Sequence, residues 1–153
     1  MGLDENSFNA IAKELNKRKE DLLLVKDDSG FEHWLKFPVT KVMENINPVT
    51  NWQGHKGPDL KFKDGFLELK AWSEKKGTKR FNAGAIIVDG IKKKKKDGYP
   101  PCLFICRVGF DADTIKEKLY KKANEEKIKI SIPYIKQVDI GEDFWILGYV
   151  EKI

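Results

Sequence analysis

The sequence predicts an α/β-class protein, an α+β arrangement in which helices flank a central mixed β-sheet. Apolar residues recur with helical spacing in residues 4–20, 83–96 and 111–127. Between the first two segments, polar and apolar residues alternate around Asp64-Gly65, a pair that predicts a hairpin turn. Because helical and strand-like segments are interspersed, we expect the helices to cover the faces of the sheet.

The length and composition predict one folded domain. The chain has 153 residues without a repeat or a linker, which suits a single domain over residues 1–153. Hydrophobic residues make up 41% and charged residues 35%, which favours a packed core beneath a highly charged surface. No apolar run approaches the roughly 20 residues of a membrane span, and the first residues lack a signal-peptide pattern. We therefore expect a cytoplasmic protein without a membrane partner.

The charge of the chain indicates the kind of partner. The net charge is +5, from 29 basic and 24 acidic residues, and the basic residues are gathered in patches. Such patches suggest a polyanionic partner, although a lysine-rich surface that only favours solubility stays an open alternative.

Cys102 and Cys106 are the two cysteines of the chain. Without a second cysteine pair, a zinc site is not expected. On a strand the two side chains point to the same face, so we interpret them as buried free thiols in a reducing compartment.

The N-terminal third is predicted as a helix followed by an ambiguous segment. Residues 4–20 form the helix, which Asp4 or Ser7 can cap. The apolar segment 22–25 is either the last turn of this helix or a first buried strand. Residues 31–51 are interrupted by prolines, so we expect strand or irregular chain there, with a short helix around 40–45 as an alternative.

The C-terminal half has clearer signals. A helix is expected over residues 83–96, followed by a buried strand over 103–110. The helix at 111–127 opens on a capping cluster of Asp and Thr. Two terminal strands, 129–135 and 144–150, complete the sheet.

The hairpin around Asp64-Gly65 places charged residues on one face. If these two residues form the turn, Lys61 lies opposite Glu68 and Asp59 lies opposite Lys70. Because opposed residues share a face and successive residues alternate, one face is apolar and core-facing: Leu60, Phe62, Leu67 and Leu69. The other face is charged: Asp59, Lys61, Glu68 and Lys70.

The charged face is a candidate active site. Asp59 and Glu68 are diagonal neighbours with backbone positions roughly 7–8 Å apart, so their carboxylates can converge on one hard cation. Lys70 beside them can hold a water or an anionic reactant. The alternative is a surface hairpin with cross-strand ion pairs, each of which contributes only about 0.2–1 kcal/mol.

Pro58-Asp59 followed by Glu68-Leu69-Lys70 resembles the signature of the PD-(D/E)XK nucleases, which include type II restriction enzymes and Holliday-junction resolvases. The resemblance covers the hairpin directly and, more loosely, the order of elements over residues 7–110. It implies a restriction-endonuclease-like core. It also implies that Asp59, Glu68 and the main-chain carbonyl of Leu69 hold Mg²⁺, for which Mn²⁺ can substitute. Lys70 would position the attacking water or stabilise the charge of the transition state, and Asp59, Glu68 and Lys70 are the catalytic residues.

Many members of this superfamily add an acidic residue from the first helix. By element order Glu14 is the best match and a tentative metal ligand, with Glu44 as its rival. His55, on the loop before Asp59, either contacts phosphate or is an ordinary solvated loop residue. Trp52 and Gln53 either reach bases from that loop or belong to the core.

Two basic segments are candidates for DNA binding through phosphate contacts. The loop after the hairpin contributes Lys75, Lys76, Lys79 and Arg80, and the end of the second predicted helix contributes Lys92, Lys93, Lys94, Lys95 and Lys96. The first set follows the proposed strand directly, so we expect it closer to the active edge.

These observations predict a Mg²⁺-dependent endodeoxyribonuclease, a restriction-type double-strand cutter. The family's habit and the symmetry of duplex DNA favour a homodimer. A junction resolvase of the same fold and a non-catalytic DNA-binding protein are the alternatives, and RNA as the substrate stays open because no residue identifies a reader of the 2′-hydroxyl.

Overall fold

A computed structural model describes residues 3–25, 31–52, 59–74, 83–94, 98–140 and 144–153. The helices in this part of the chain are α1 (Glu5–Lys17), α2 (Lys19–Val25), α3 (Phe31–Trp34), α4 (Lys36–Met43), α5 (Ala83–Lys92) and α6 (Ala112–Glu125). The strands are β1 (Val49–Trp52), β2 (Leu60–Phe62), β3 (Gly65–Ser73), β4 (Cys102–Val108), β5 (Ile130–Val138) and β6 (Phe144–Lys152). The predicted class, an α+β fold on a mixed sheet flanked by helices, is confirmed.

The strands form one six-stranded sheet in the order β1-β2-β3-β4-β6-β5. β1, β2 and β3 are an antiparallel meander, and β5 and β6 form an antiparallel pair at the other edge. β3 and β4 are parallel, which requires a crossover, and α5 supplies it. The sheet is therefore mixed, with its parallel pair at the centre.

Each face of the sheet buries its own core. One core packs α1 to α4 against the apolar side of β2 and β3, and includes all four residues of the predicted core-facing set: Leu60, Phe62, Leu67 and Leu69. The other core lies beneath α5 and α6 and contains Cys102, Phe104 and Cys106. The interpretation of the cysteines as buried free thiols on one strand face is confirmed.

The first helix begins as predicted, because the Asp4 carboxylate accepts a hydrogen bond of 2.7 Å from the Ser7 amide. The segment 22–25 is helical and belongs to α2, so its interpretation as a strand is wrong.

The prediction of strand or irregular chain over residues 31–51 is wrong for most of that segment. α3 and α4 occupy it, and only β1 is extended. Pro38 does not break α4, because it lies in the first turn, where backbone amides have no intrahelical partner in any case.

The second predicted helix is shorter than expected. α5 ends at Lys92, so the exposed Lys93 and Lys94 lie beyond it, and Lys95 and Lys96 lie outside the described residues. α6 is capped by Asp111, whose carboxylate accepts a hydrogen bond of 2.8 Å from the Thr114 amide.

The hairpin forms, but its predicted register is wrong by two residues. Leu60 pairs with Leu67 and Phe62 with Gly65, so the turn residues are Lys63 and Asp64. Gly65 follows with φ 110°, a value that favours glycine. A shift of two residues leaves every side chain on its predicted face, because the side chains of a strand alternate with a period of two.

A contact from a distant segment holds this turn. The Asn47 side chain donates to the Asp64 carbonyl at 2.9 Å and accepts from the Asp64 amide at 3.0 Å. The Lys63 amide donates to the Pro48 carbonyl at 3.0 Å. The chain just before β1 therefore selects the register, which explains why the local turn signal alone gives the wrong one.

Candidate active site

The candidate site lies along one edge of β3. The Glu68 amide donates to the Pro101 carbonyl at 2.8 Å and the Glu74 amide to the Arg107 carbonyl at 3.0 Å, so even-numbered amides of β3 face β4. The amides of Leu69 and Ala71 consequently face the β2 side. The ladder between β2 and β3 ends at Leu67, so these amides lie beyond it. We call this part of β3, from Leu69 to Ala71 on the β2 side, the open edge.

Two carboxylates occupy the open edge in place of a strand. Asp59 Oδ2 accepts a hydrogen bond of 2.7 Å from the Leu69 amide. The Glu32 carboxylate accepts a hydrogen bond from the Ala71 amide. Backbone donors that would otherwise need a partner strand are therefore satisfied by side chains, and negative charge is brought to the edge of the sheet.

Lys70 lies between Leu69 and Ala71 in the sequence, and its ammonium group is close to one of the two carboxylates. Its Nζ is 3.9 Å from Glu32 Oε1, a loose ion pair. A Cβ built on Gly90 of α5 would lie 3.0 Å from Lys70 Cε and 3.9 Å from Glu68 Cγ. The absence of a side chain at Gly90 therefore lets α5 approach the stems of Lys70 and Glu68 closely.

Glu68 is buried, with 7% of its surface exposed. It pairs in register with Cys102 of β4. The pKa of the Cys102 thiol is raised well above its usual value, first by burial and next by the Glu68 charge. Lys70 opposes that increase, and Glu32 and Asp59 add to it. Four charged side chains therefore affect the pKa of one buried thiol, which indicates that they lie near one another: Glu68, Lys70, Glu32 and Asp59.

Burial is the main reason that the pKa of Glu32 is raised, and the Asp59 charge raises it further. The Lys70 charge and the hydrogen bond from Ala71 act in the opposite direction. A carboxyl group whose pKa is shifted by burial together with specific charged neighbours is common at functional sites.

Glu32 is the acidic residue that the sequence analysis missed. It lies in α3, within a segment for which the sequence predicted no helix. Glu14 instead lies 2.8 Å from Arg18 and 3.2 Å from Lys41, and its pKa is lowered chiefly by the hydrogen bond with Arg18. Glu44 is exposed beside the groove between α4 and β1. No local signal in the sequence predicts that α3, which ends just before Leu35, brings Glu32 to the hairpin.

The predicted DNA-binding residues are only partly described. Lys75, Lys76, Lys79, Arg80, Lys95 and Lys96 lie outside the described residues, as do His55, Gln53 and Pro58. Lys92 forms ion pairs with Asp89 at 2.9 Å and Glu126 at 3.4 Å. Trp52 is 44% exposed, so its interpretation as a core residue is wrong.

The chemistry of the donor set suits a hard cation. Asp59, Glu68 and Glu32 offer carboxylate oxygens, and the Leu69 carbonyl faces the open edge because the N–H and C=O of a strand residue point to the same side. Among the described residues, no three histidine, cysteine, aspartate or glutamate side chains form a ready metal-binding group. Mg²⁺ does not need such a group, since it is commonly held by one or two carboxylates, waters and substrate phosphates.

Comparisons with protein-family models, with curated proteins and with solved structures find no match for this chain. None of the helices in the described part has both the length and the apolar character needed to cross a membrane. What the protein does has therefore to be inferred from its geometry and chemistry.

Proposed function

We propose that the protein is a Mg²⁺-dependent endonuclease that hydrolyses phosphodiester bonds of DNA. The observation that carries this proposal is the open edge of β3, where Asp59 contacts the Leu69 amide and Lys70 lies 3.9 Å from Glu32. Two or three carboxylates beside one lysine suit a reaction that needs a metal-bound water and a cation for the phosphate.

The order of elements also supports the proposal. An antiparallel meander of β1, β2 and β3 is followed by α5 and by β4, which is parallel to β3. This is the arrangement that the resemblance to the PD-(D/E)XK nucleases implies: a three-stranded antiparallel unit, a helix and a further strand. Asp59 immediately precedes β2, and Glu68, Leu69 and Lys70 lie within β3.

Asp59, Glu68 and the Leu69 carbonyl are the residues that would hold the metal. Bound there, Mg²⁺ would lower the pKa of a water and neutralise charge on the phosphoryl oxygens. Glu68 is buried with its Cγ close to Gly90 of α5, and the Leu69 amide orients Asp59. Both ligands are therefore positioned before any substrate arrives, which reduces the cost of reorganisation during the reaction.

Lys70 would act on the reacting groups and Glu32 would position it. Only 23% of the Lys70 side chain is exposed, and its ammonium group lies 3.9 Å from the Glu32 carboxylate at the open edge. From there it can donate a hydrogen bond to the attacking water or to a phosphoryl oxygen. Glu32 limits the directions that the ammonium group can take, because it is itself held by the Ala71 amide.

A restriction-type cutter that acts as a homodimer is the specific form that we propose, with a junction resolvase as the second candidate. A non-catalytic DNA-binding protein is disfavoured by the open edge, because carboxylates beside a phosphate repel it unless a cation lies between them. The resolvase differs from the restriction-type enzyme in its substrate only, so cleavage assays distinguish the two.

The first test is cleavage of supercoiled plasmid and of a labelled four-way junction, each with Mg²⁺ or with EDTA. We expect Mg²⁺-dependent cutting that falls by about 100-fold or more in Asp59→Asn and in Lys70→Ala, because each removes a group aimed at the transition state. Matched controls are Asp64→Asn and Lys61→Ala, which change exposed residues of the same hairpin.

Each outcome of this test has a definite meaning. Faster cutting of the junction than of the plasmid would favour the resolvase, and discrete plasmid fragments would favour the restriction-type enzyme. Cutting that persists unchanged in Asp59→Asn and Lys70→Ala would contradict the proposed site. Salt-sensitive DNA binding without any cutting would favour the non-catalytic alternative.

A further inference from the structure

An exposed aromatic pair lies next to the proposed active site. Phe37 of α4 is 56% exposed and Trp52 of β1 is 44% exposed. Their rings meet edge to face, with centroids 5.1 Å apart and planes at 88°. Large aromatic side chains are usually buried, so two exposed rings in contact form a surface that a planar ligand can stack against.

The Trp52 ring is held in place by its neighbours. Its indole N–H donates to Thr40 Oγ1 at 3.1 Å. A groove of about 410 Å³ opens beside the rings between α4 and β1, a volume within the usual range of small-ligand sites. Two sides of the groove are therefore aromatic, and the hydrogen bond to Thr40 orients the Trp52 ring, so less freedom of that side chain is lost on binding.

Lys36 adds a positive charge to this surface. The residue is buried, with 7% of its surface exposed, and its Nζ lies 6.0 Å from the centroid of the Trp52 ring. Within the described residues no carboxylate lies within 4.0 Å of it. The ammonium group of Lys36 therefore gives this surface a positive charge beside the Trp52 ring, which favours an anionic ligand whose apolar part lies on the aromatic rings.

Two chain segments connect this surface to the open edge of β3, one through β1 and β2 and the other through α3 and α4. Trp52 pairs with Leu60 in the β1–β2 ladder, and Asp59 is the next residue along the chain. Lys36 follows Glu32 by four residues through α3 and the start of α4. A DNA strand with one phosphate held at the open edge through a cation can therefore place a neighbouring nucleotide on the aromatic pair.

We infer that Phe37, Trp52 and Lys36 bind an unpaired nucleotide of the DNA substrate, with its base stacked on the rings and its phosphate near Lys36. The inference rests on the proposed function for the identity of the ligand. Stacking requires an accessible base face, which a continuous duplex does not offer. The inference therefore requires a nucleotide beside the cleaved bond that is single-stranded or that the protein displaces from the duplex.

The test measures binding in EDTA, so that no cleavage takes place. The probes are a fluorescently labelled single-stranded DNA, a blunt duplex that contains it, and the same duplex with a single-stranded overhang. For Trp52→Ala we expect affinity to fall by about 5- to 100-fold for the two probes with unpaired bases, because base stacking on an aromatic ring is of that strength. Affinity for the blunt duplex is expected to stay the same.

Further variants separate stacking from a general loss of structure. Trp52→Phe keeps an aromatic ring and is expected to retain most of the affinity, whereas Lys36→Met keeps the apolar stem and is expected to lose affinity and part of its salt dependence. Phe37→Ala tests the second ring at an exposed position. Tyr120→Ala removes an exposed aromatic residue from α6 and is the matched control.

Several results would overturn the inference. These are equal losses for blunt duplex and single strand, unchanged affinity in both Trp52→Ala and Phe37→Ala, or an equal loss in Tyr120→Ala. Tighter, ring-dependent binding of RNA than of DNA would overturn the assignment of the substrate. The proposed nuclease fails separately, because it is contradicted by Mg²⁺-dependent cleavage that does not respond to Asp59→Asn, whatever the binding assays show.

Discussion

The two edges of β3 satisfy their backbone groups in different ways. On one side β4 runs parallel to β3 over six pairs of residues, from Glu68–Cys102 to Ser73–Arg107. On the other side β2 pairs only with the first residues of β3. Beyond them, the carboxylates of Asp59 and Glu32 accept hydrogen bonds from amides of β3. The first edge is stabilised by neutral hydrogen bonds between backbones, and the second by hydrogen bonds to charged groups.

This difference separates stability from chemistry within one strand. The β4 side continues into β6, whose residues pack into both cores. The open edge holds negative charge next to partly buried surroundings, which is unfavourable for folding unless a cation or a proton reduces the charge. We therefore expect substitutions on the two sides of β3 to act on different properties: on cleavage at the open edge and on the free energy of unfolding toward β6.

Beyond the proposed catalytic residues, the largest expected effect is that of Glu32→Gln at the open edge. The variant keeps the shape of the side chain but removes the charge that positions Lys70, so we expect cleavage to fall by about 100-fold. Measurement of kcat and KM separately should show the loss in kcat. The exposed Glu44→Gln is the control, and an equal loss there would contradict the role of Glu32.

The same variant is expected to be more stable than the natural protein at neutral pH in EDTA. Burial and Asp59 raise the pKa of Glu32 in the folded state, so the folded chain keeps this proton to a higher pH than the unfolded chain. Stability therefore falls as the pH rises from the ordinary glutamate pKa through the raised one. The difference in Tm between Glu32→Gln and the natural protein should be small in acid and grow toward neutrality. A difference that shrinks with rising pH would contradict this account.

A substitution on the β4 side of β3 is expected to change the free energy of unfolding. A Cβ on Gly148 of β6 would lie 2.2 Å from Phe104 Cζ, far closer than packed atoms allow. We expect Gly148→Ala to lower the free energy of unfolding by about 1–3 kcal/mol, as overpacked cores do. Urea denaturation measures it. Phe104→Leu in the same chain should restore part of the loss, and additive effects of the two changes would contradict direct contact.

Gly90→Ala is expected to have the smallest effect. It should lower the rate of cleavage and raise the free energy of unfolding. The new Cβ would lie 3.0 Å from Lys70 Cε, so the lysine stem has to move by a few tenths of an ångström. Cleavage should fall by about ten-fold, less than the roughly 100-fold loss from a 1 Å misplacement. Stability should rise slightly, because alanine favours a helix over glycine by about 0.5–1 kcal/mol.

A double substitution shows whether Gly90→Ala lowers cleavage by displacing Lys70. In a chain that already carries Lys70→Ala, the second substitution Gly90→Ala should cause no further loss of cleavage. A full ten-fold loss in that background would contradict the close approach of α5 as its cause.

Local patterns were sufficient for much of the fold but for only part of the site. The caps at Asp4 and Asp111, the helices they begin and the buried face of Cys102 and Cys106 were all predicted from near neighbours in the sequence. The helices of segment 31–51 were not predicted, because proline usually interrupts a helix. Pro38 nevertheless fits the first turn of α4. That single error concealed Glu32, and with it the acidic residue that contacts Lys70.

The faces of the hairpin follow from the sequence, because the alternation of side chains along a strand is a local property and survives a shift of register by two. Its register depends on a long-range contact, since Asn47 holds the turn from 17 residues away. The packing of α3 on the sheet likewise decided that Glu32 reaches the open edge. Contacts between distant segments have no periodic signal in the chain, so they become visible only when the cores bring the elements together.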